Sequence, residues 1–563
     1  DSTEKNQPDG TTGGEENKNQ SGDTTGGKTL TKSTESRSSV PGSQIMYTGA
    51  SLKVADANDD DETKIQSAKI VETAVKNFMT VAEDVTTSAT NYVIRIINKL
   101  VNDESTGKDN TLNVTLDNVN IDARNEKYET MGDAALSVEG AGNTTITLKG
   151  DNTLTSGGYH AGLEHNEKSD GGKTGKLTIT SETDGNGNNT GSLTATGSLA
   201  SAGIGSVWNT AGTNNSDAGA GTIEITGGDI TAIGDSDAAG IGSGCKATGE
   251  TNITISGTAK IKTQTEQGGA GIGSGSGATG NTNITISGGT IETAQGGSGG
   301  AGIGGGDGST GQTTVTIKSG TIKNATGGNL GDGIGGGCDS TNITVNIEGG
   351  TIETAQGGQG YGSYYDAGDG IHSDKALTIS GNATIVSAIG GGCGSDATNR
   401  DAGHGIYSGG DLTIKTGSTI KNAQGGDATD NNMNGGRGIY IDGALTIDGG
   451  TIETAKGGSG IAAGGAGIYS KGDLTIEGGT IGKWNTGGKT KTPDTDTGAL
   501  GGTATSGANG GDGIHSDGQI NITGGEIVNA KCGTSTVFGN GKGCNGIYSK
   551  KELTIGTATI GNA

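Results

Sequence analysis

The chain has few of the side chains that fill an ordinary protein core. Of its 563 residues only 2 are Phe, 2 are Trp and 11 are Tyr, and 28% are hydrophobic. A compact globular domain of this length carries more large apolar side chains than that. No stretch is long and apolar enough to span a membrane, so we expect no membrane insertion. The composition therefore predicts an architecture that needs only a thin apolar core.

Basic residues are too few for a protein that binds nucleic acid. Lys and Arg together number 37 against 62 Asp and Glu, which gives a net charge of −25. Since nucleic-acid binding needs a basic face, nucleic acid is excluded as a partner. The acidic balance fits an extracellular protein instead, and carboxylates suit hard cations such as calcium.

Cysteine is also scarce. The 5 cysteines are an odd number, so at least one is unpaired within the chain. Cys532 and Cys544 lie in one insertion, and their spacing fits either a disulfide or two free thiols. There is no C-x-x-C pair, and the histidines lie elsewhere, so we expect no zinc site and no cofactor other than calcium.

Glycine is abundant, with 118 residues, and it does not follow the G-X-Y period of collagen. It belongs to a repeat whose clearest copy, Gly269 to Gly297, has an isoleucine in a glycine turn, an alternating I-T-I segment and then GGTI. The turn aliphatic recurs at Leu163, Ile204, Ile241, Ile272, Ile303, Ile334, Ile371, Ile406, Ile439, Ile468, Ile514 and Ile547. The central steps are 31 residues, and the later ones range from 29 to 46. A fixed period with insertions at one place predicts a solenoid.

The alternating segment of each unit, such as Ile253–Ile255 or Leu377–Ile379, indicates a short strand. Successive side chains of a strand point to opposite faces, so the flanking aliphatics point inward and the middle Thr, Asn or Glu points outward. The GGTI step adds a second strand, and the glycine turn adds a third. The predicted fold class is therefore all-β, a parallel β-helix of about 13 coils of roughly 31 residues each.

The repeat divides the chain into three regions. Residues 1–43 have almost no aliphatic side chains and are predicted to be a disordered linker or tail. Residues 44–105 are assigned to an N-terminal cap and first coil, because a solenoid needs a cover over the open end of its core. One helix is predicted in the cap from the apolar residues Ile65, Ala68, Val71, Val75, Phe78 and Met79, and one strand from Tyr92, Ile94 and Ile96. Residues 106–563 are assigned to the β-helix repeats.

The two ends of the sequence lead to a further expectation. The chain opens at Asp1 without an apolar signal segment, and it stops at Ala563 just after a strand pair. We expect a processed secreted protein that is normally part of a larger surface protein.

The first coils carry motifs with a specific resemblance. LNVTLDNVNI (Leu112 to Ile121) is followed by TTITLKGDNTL (Thr144 to Leu154) and then by GSLTATG and AGIG elements. This succession resembles the secreted bacterial carbohydrate-binding β-helix family. The later AGIGGG and ITISGGTI units are similar to repeats in surface proteins of Gram-positive anaerobes. Over residues 91–563 the resemblance implies a right-handed, pectate-lyase-like β-helix. It also implies a secreted or cell-surface location and binding of acidic polysaccharide, often with calcium and without demonstrated catalysis.

The position after the turn isoleucine changes halfway along the chain. The early coils have Gly there, whereas the later ones have His372, Tyr407, Tyr440, Tyr469, His515 and Tyr548. If the isoleucine points inward, these side chains point outward, and coils spaced about 4.8 Å apart stack them into an aromatic ladder. Charged residues such as Asp374 and Asp442 follow two positions later. Rings flanked by charged groups form a candidate binding surface for a polysaccharide. Stacked rings also stabilise a sheet when no ligand is bound.

A second row lies two residues before the same isoleucine. Alanine in the early coils gives way to Asp332, Asp369, His404 and Arg437. Alternation along the strand places these side chains on the outward face. Burial of unpaired charge would also be costly. His404 and Arg437 join the candidate ligand-binding residues, and with Asp369 they are the best candidate for a lyase or glycosidase centre. A solvated, salt-bridged corner explains the same residues.

Calcium has several candidate positions, and none has EF-hand spacing. Asp332 and Asp369 are the metal-ligand candidates, while Asp117 with Asp122 and the acidic run Asp56–Glu62 are further clusters. Solvated surface charge is the preferred explanation of these clusters, and calcium binding rests mostly on the family resemblance. The resulting interpretation is an extracellular, non-catalytic β-helix that binds a polysaccharide or cell-surface glycan. The alternatives are a lyase-like enzyme acting on acidic glycans and the structural stalk of a surface adhesin.

Overall fold

Parallel strands stacked coil upon coil form the framework of the described part of the computed structural model. The structure describes residues 44–45, 93–98, 111–124, 132–167, 174–209, 219–360, 366–394, 401–429, 433–485, 491–505, 509–535 and 543–563. These residues belong to one structural unit, Pro41–Ala563. The predicted parallel β-solenoid is confirmed, with about 12 turns of roughly 32 residues where the sequence predicted about 13 of 31.

The turn isoleucines form the first of two large sheets, which has 15 strands. Its neighbouring strands are parallel and in register, so that Ile272 lies opposite Ile241 and Ile303. The strands are Gln44–Ile45, Val93–Ile97, Leu136–Glu139, Leu163–His165, Ile204–Gly205, Ile241–Gly242, Ile272–Gly273, Ile303–Gly304, Ile334–Gly335, Ile371–Ser373, Ile406–Ser408, Ile439–Ile441, Ile468–Ser470, Ile514–Ser516 and Ile547–Ser549.

The alternating segments and the GGTI steps form a second sheet of 27 strands. Its strands are Leu112–Asp117, Asn120–Asp122, Thr144–Thr155, Leu177–Ser181, Gly191–Thr196, Gly221–Ile225, Asp229–Gly234, Thr251–Ile255, Lys260–Thr265, Thr282–Gln295, Thr313–Thr326, Ile343–Ile347, Thr351–Gln356, Leu377–Ile379, Thr384–Ile385, Ala388–Ile389, Leu412–Lys415, Thr419–Ile420, Ala423–Gln424, Leu445–Ile452, Thr454–Lys456, Leu474–Ile481, Gly498–Leu500, Ile520–Ile522, Glu526–Lys531, Leu553–Ile555 and Thr559–Asn562. A separate antiparallel hairpin pairs Trp484–Asn485 with Thr492–Pro493. In five coils the alternating segment and the step that follows it form one continuous strand, as Thr144–Thr155, Thr282–Gln295, Thr313–Thr326, Leu445–Ile452 and Leu474–Ile481.

The core is the thin aliphatic stack that the repeat predicts. In the coil of Ile272, the side chains of Ile272, Ile284 and Ile286 are at most 1% exposed, whereas Thr285 between the last two is half-buried. The same inward row continues through every coil from Ile204 to Ile514. Each coil therefore buries its aliphatics against the coil before and after it, which is how a solenoid forms a core from few large side chains.

The N-terminal predictions are tested only in part. The strand predicted around Ile94 and Ile96 is confirmed as Val93–Ile97, with both isoleucines buried. The helix predicted over Ile65 to Met79 lies outside the described residues, as does most of the predicted cap. The described ranges contain no helix at all, and hence none long and apolar enough to cross a membrane.

Cysteine pairing follows one of the two alternatives that the sequence left open. Cys532 and Cys544 form a disulfide, with Cα atoms 5.4 Å apart. Cys245, Cys338 and Cys393 are not disulfide-bonded.

Candidate binding site along the aromatic ladder

The backbone of the first sheet changes at the coil where the aromatic side chains begin. In the five coils from Ile204 to Ile334 the strand is two residues long and ends at a glycine with φ between 136° and 156°, at Gly205, Gly242, Gly273, Gly304 and Gly335. A Cβ on Gly304 would lie only 1.9 Å from the carbonyl oxygen of Gly335. From Ile371–Ser373 onward the strand is three residues long, and its middle position accepts a side chain. The glycine-to-aromatic change in the sequence thus marks a change of backbone conformation.

The predicted ladder is present as a continuous stack of rings. Its centroid separations are 4.5 Å for His372–Tyr407, 5.4 Å for Tyr407–Tyr440 and 5.5 Å for Tyr440–Tyr469. The stack continues with 4.6 Å for Tyr469–His515 and 4.7 Å for His515–Tyr548. The rings are half-buried, and each ring packs against the rings of the neighbouring coils. Part of each inner ring's surface is therefore used within the protein, which leaves less ring face for a sugar than a flat platform offers.

Carboxylates and amines run beside the rings and pair with one another. The Asp442 carboxylate accepts a hydrogen bond from the Tyr407 hydroxyl at 3.3 Å and lies 2.6 Å from Lys471 Nζ. Asp517 repeats the arrangement, with the Tyr469 hydroxyl at 3.0 Å and Lys550 Nζ at 2.7 Å. Burial alone would raise the pKa of Asp442, but the ion pair with Lys471 lowers it. This edge of the ladder is thus a polar row with its charges compensated.

Arg437 lies over the rings in the middle of the ladder. Its guanidinium carbon is 4.6 Å from the centroid of Tyr440 and 4.8 Å from that of Tyr469. Contacts of this kind are attractive because the ring faces are electron-rich. The predicted ligand-binding residue Arg437 is therefore held by the ladder itself.

The row two residues before the turn isoleucine links each coil to the next. Asp332 Oδ1 accepts the backbone N–H of Asp369 at 2.7 Å, and Asp369 Oδ1 accepts that of His404 at 2.6 Å. His404 Nδ1 in turn accepts the backbone N–H of Arg437 at 3.0 Å. In an early coil, the N–H of Ala270 donates instead to the carbonyl of Ser274 in its own turn. In the later coils the side chains of Asp332, Asp369 and His404 thus accept the backbone N–H of the next coil. In the early coil, the N–H at the same position donates to a carbonyl of its own turn.

The prediction that Asp332 and Asp369 are outward and solvated is wrong in one respect. They lie on the ladder side, but only 6% of Asp332 and 7% of Asp369 is exposed. Their burial is tolerated because their oxygens accept backbone N–H groups and face His372. The Nδ1 atom of His372 is 2.8 Å from Asp369 Oδ2 and 3.6 Å from Asp332 Oδ2, and Nε2 is 3.2 Å from Asp374.

The charge states of these groups follow from their neighbours. Burial would lower the pKa of His372, but Asp332, Asp369 and Asp374 together raise it well above 6.5. Burial raises the pKa of Asp332 to about 7. Burial, reinforced by the charge of Arg437, lowers the pKa of His404 to about 4, which agrees with Nδ1 of that ring acting as an acceptor.

A cleft of about 540 Å³ lies at the start of the ladder. The predicted residues that line it are Asp332, Asp369, His372, His404, Tyr407, Arg437, Tyr440 and Asp442. The predicted residues outside its lining are Asp374, Tyr469, His515 and Tyr548. Of these, Asp374 holds His372, and the other three continue the ladder.

Sequence reasoning missed several residues that line the cleft. Cys338, Asp339 and Asp366 are among its walls. The first two follow the glycine turn of their coil, and Asp366 lies in a connection whose length varies between coils. The sequence repeat therefore does not predict which residues occupy these positions. Lys471 also lines the cleft, and it belongs to the charged row beside the ladder that the sequence predicts, together with Asp374 and Asp442.

Comparison of the chain with protein-family models, curated proteins and solved structures finds no match. In the predicted catalytic group, Asp369 and His404 use an oxygen and a nitrogen to bind backbone N–H groups, and Arg437 packs on rings.

The second calcium candidate consists of carboxylates that have cationic partners. Asp117 lies 2.5 Å from Lys149 Nζ, and Asp122 lies 2.5 Å from the Arg124 guanidinium. These pairs fit the alternative interpretation of the cluster as surface charge. The acidic run Asp56–Glu62 lies outside the described residues.

Proposed function

We propose that the aromatic ladder and its cleft form a non-catalytic binding site for a polysaccharide. The observation that carries the proposal is the continuous stack from His372 to Tyr548, which opens at one end into the cleft. An extended row of rings and polar groups matches an extended polymer whose units repeat along it. The Tyr hydroxyls, the carboxylates and Lys471 supply donors and acceptors for sugar hydroxyls.

The charges of the cleft bear on the kind of polysaccharide. Its acidic lining residues are Asp332, Asp339, Asp366, Asp369, Asp401 and Asp442, against the basic residues Arg437, Lys471, His372 and His404. This excess of carboxylates repels an acidic polymer at short range. We therefore propose a neutral polysaccharide as the ligand, and an acidic one only when a divalent cation is bound as well.

The binding interpretation is preferred to a lyase or glycosidase for a structural reason. Asp369 contacts both His372 and the His404 backbone, so neither of its oxygens is without a protein partner. His404 has one ring nitrogen committed to Arg437. Such groups would have to break structural hydrogen bonds in order to act as an acid or a base.

The proposal includes an extracellular location for the chain, within a larger surface protein. A disulfide such as Cys532–Cys544 is typical of an oxidising compartment, which supports an extracellular site at or near a cell surface. We propose that the chain presents its ladder to a glycan of a neighbouring cell or matrix as part of a larger surface protein. A structural stalk would need the ladder only for stability.

The test is binding of the full chain to an array of neutral and acidic polysaccharides, with calcium and with chelator. Replacing Tyr407 and Tyr440 together by Ala should weaken binding at least tenfold, since buried aromatic contacts contribute about 1 kcal/mol each. The matched control replaces Thr413 and Thr446 by Ala, because these half-buried residues lie in the same coils on the other sheet. Equal losses in both variants, or no binding by the folded wild-type chain, would favour the stalk.

A further inference from the structure

The hexapeptide Asp-Gly-Ile-His-Ser-Asp occurs twice, as Asp369–Asp374 and as Asp512–Asp517. In both copies the histidine lies between the two aspartates. His515 Nδ1 is 2.7 Å from Asp512 and its Nε2 is 3.0 Å from Asp517, closely matching the 2.8 Å and 3.2 Å around His372. The local sequence therefore produces the same arrangement in two distant coils.

The two copies differ in the residue supplied by the preceding coil. Asp332 lies beside His372, whereas Ala466 occupies the corresponding position before His515. Ligand atoms of Asp332, Asp369 and His372 all lie within 4.8 Å of one another. The first copy thus has a third, buried donor that the second copy lacks.

Apart from the donor atoms that converge, the polar atoms of these three residues are held in place by the surrounding protein, and the converging Asp332 Oδ2 itself also accepts the N–H of Gly336 at 2.8 Å. Asp332 Oδ1 binds the N–H of Asp369, Asp369 Oδ1 binds the N–H of His404, and His372 Nε2 faces Asp374. Histidines that bind metals almost always give their second ring nitrogen to a carboxylate or carbonyl, and metal-binding carboxylates are themselves hydrogen-bonded. This outer arrangement is an observation independent of the convergence of the three donors.

We propose that Asp332, Asp369 and His372 bind one divalent transition-metal ion of the zinc type. The ion replaces the hydrogen bond between His372 Nδ1 and Asp369 Oδ2, the proton of that bond is released to solvent, and the two carboxylates balance the two positive charges of the ion. One imidazole nitrogen with two carboxylate oxygens suits zinc, whereas calcium prefers six to eight oxygen ligands. All three residues line the cleft, which has room for a water as fourth ligand.

This inference does not rest on glycan binding, and it revises the sequence-based expectation that no zinc site is present. The experiment is calorimetric titration of the chelator-treated full chain with Zn²⁺, with Ca²⁺ as a parallel arm. Substitution of Co²⁺ adds an absorption spectrum that reports the donor atoms. We expect one saturable Zn²⁺ site with a nitrogen and oxygen spectrum and much weaker Ca²⁺ binding.

The repeat supplies variants that its own coils already accommodate. Asp332→Ala introduces the residue found at Ala270, and His372→Tyr introduces the residue found at Tyr407. Each should abolish the site, while Asp374→Asn should weaken it about 10–100-fold as an outer-shell change. Asp512→Ala, in the second copy, is the control and should leave Zn²⁺ affinity unchanged.

Three results would overturn the proposal. One is the absence of Zn²⁺ binding by the folded wild-type chain. Another is equal loss of affinity in Asp332→Ala and Asp512→Ala. The last is a thiolate charge-transfer band in the Co²⁺ spectrum, which would place the ion on a cysteine. Retained fold in each variant is checked by circular dichroism.

Discussion

Replacing Gly304 by Ala should destabilise the solenoid far more than replacing Gly308, four residues away. Gly304 has φ of 136°, and a Cβ there would lie 1.9 Å from the carbonyl oxygen of Gly335. That oxygen cannot turn aside easily, because it accepts the N–H of Gly305 at 2.9 Å. Backbone strain of about 1–3 kcal/mol and overpacking of a similar size combine to about 2–6 kcal/mol.

Gly308 provides the comparison, because its φ is 61° and a Cβ would meet nothing within 4 Å. Alanine in that left-handed conformation costs only about 1–2 kcal/mol. Urea unfolding followed by circular dichroism compares the two variants, and hydrogen exchange locates the affected coils. Similar destabilisation by both substitutions would refute the argument that coil spacing, rather than φ alone, requires glycine after the early turn isoleucines.

Two further predictions concern the core and a pH-dependent pair. Ile303→Ala removes a fully buried side chain and should lower the free energy of unfolding by about 2–5 kcal/mol, measured in the same urea assay; a loss below 1 kcal/mol would contradict the packed core. His160 Nδ1 lies 2.7 Å from Glu164, and although burial would lower the pKa of His160, the carboxylate raises it above 6.5. The stabilisation is therefore complete below about pH 6.5 and is lost as the pH rises through the folded-state pKa. NMR titration should show a lower pKa for His160 in Glu164→Gln, and an unchanged pKa would exclude the pair as its cause.

The solenoid and the ladder were predictable because both follow from a one-dimensional period. Once Ile371 and Ile406 are aligned as inward residues, the next positions, His372 and Tyr407, must point outward and stack. The ring separations confirm this alignment. The number of coils was less exact because insertions make the period irregular.

The burial of Asp332 and Asp369 could not be read from the same alternation. It depends on a backbone N–H in the next coil, which is close in space but 37 or 35 residues away in sequence. The sequence did indicate a change at this place. Two residues before the turn isoleucine Ala changes to Asp, at almost the same coil where Gly changes to His or Tyr one residue after it. The cleft walls at Asp339 and Asp366 had no such signal, because they lie in turns and connections outside the paired strands.

The in-register pairing of the first sheet has a consequence for how such a chain can change. Ile468 pairs with Ile514 although 46 residues separate them, and part of the extra length forms the hairpin Trp484–Asn485 with Thr492–Pro493. Other coils close the same step with 31 residues. Connections can therefore be lengthened or exchanged while the strands on either side keep their partners. For protein engineering, this means that new segments can be inserted into the connection of a chosen coil while the paired strands stay unchanged.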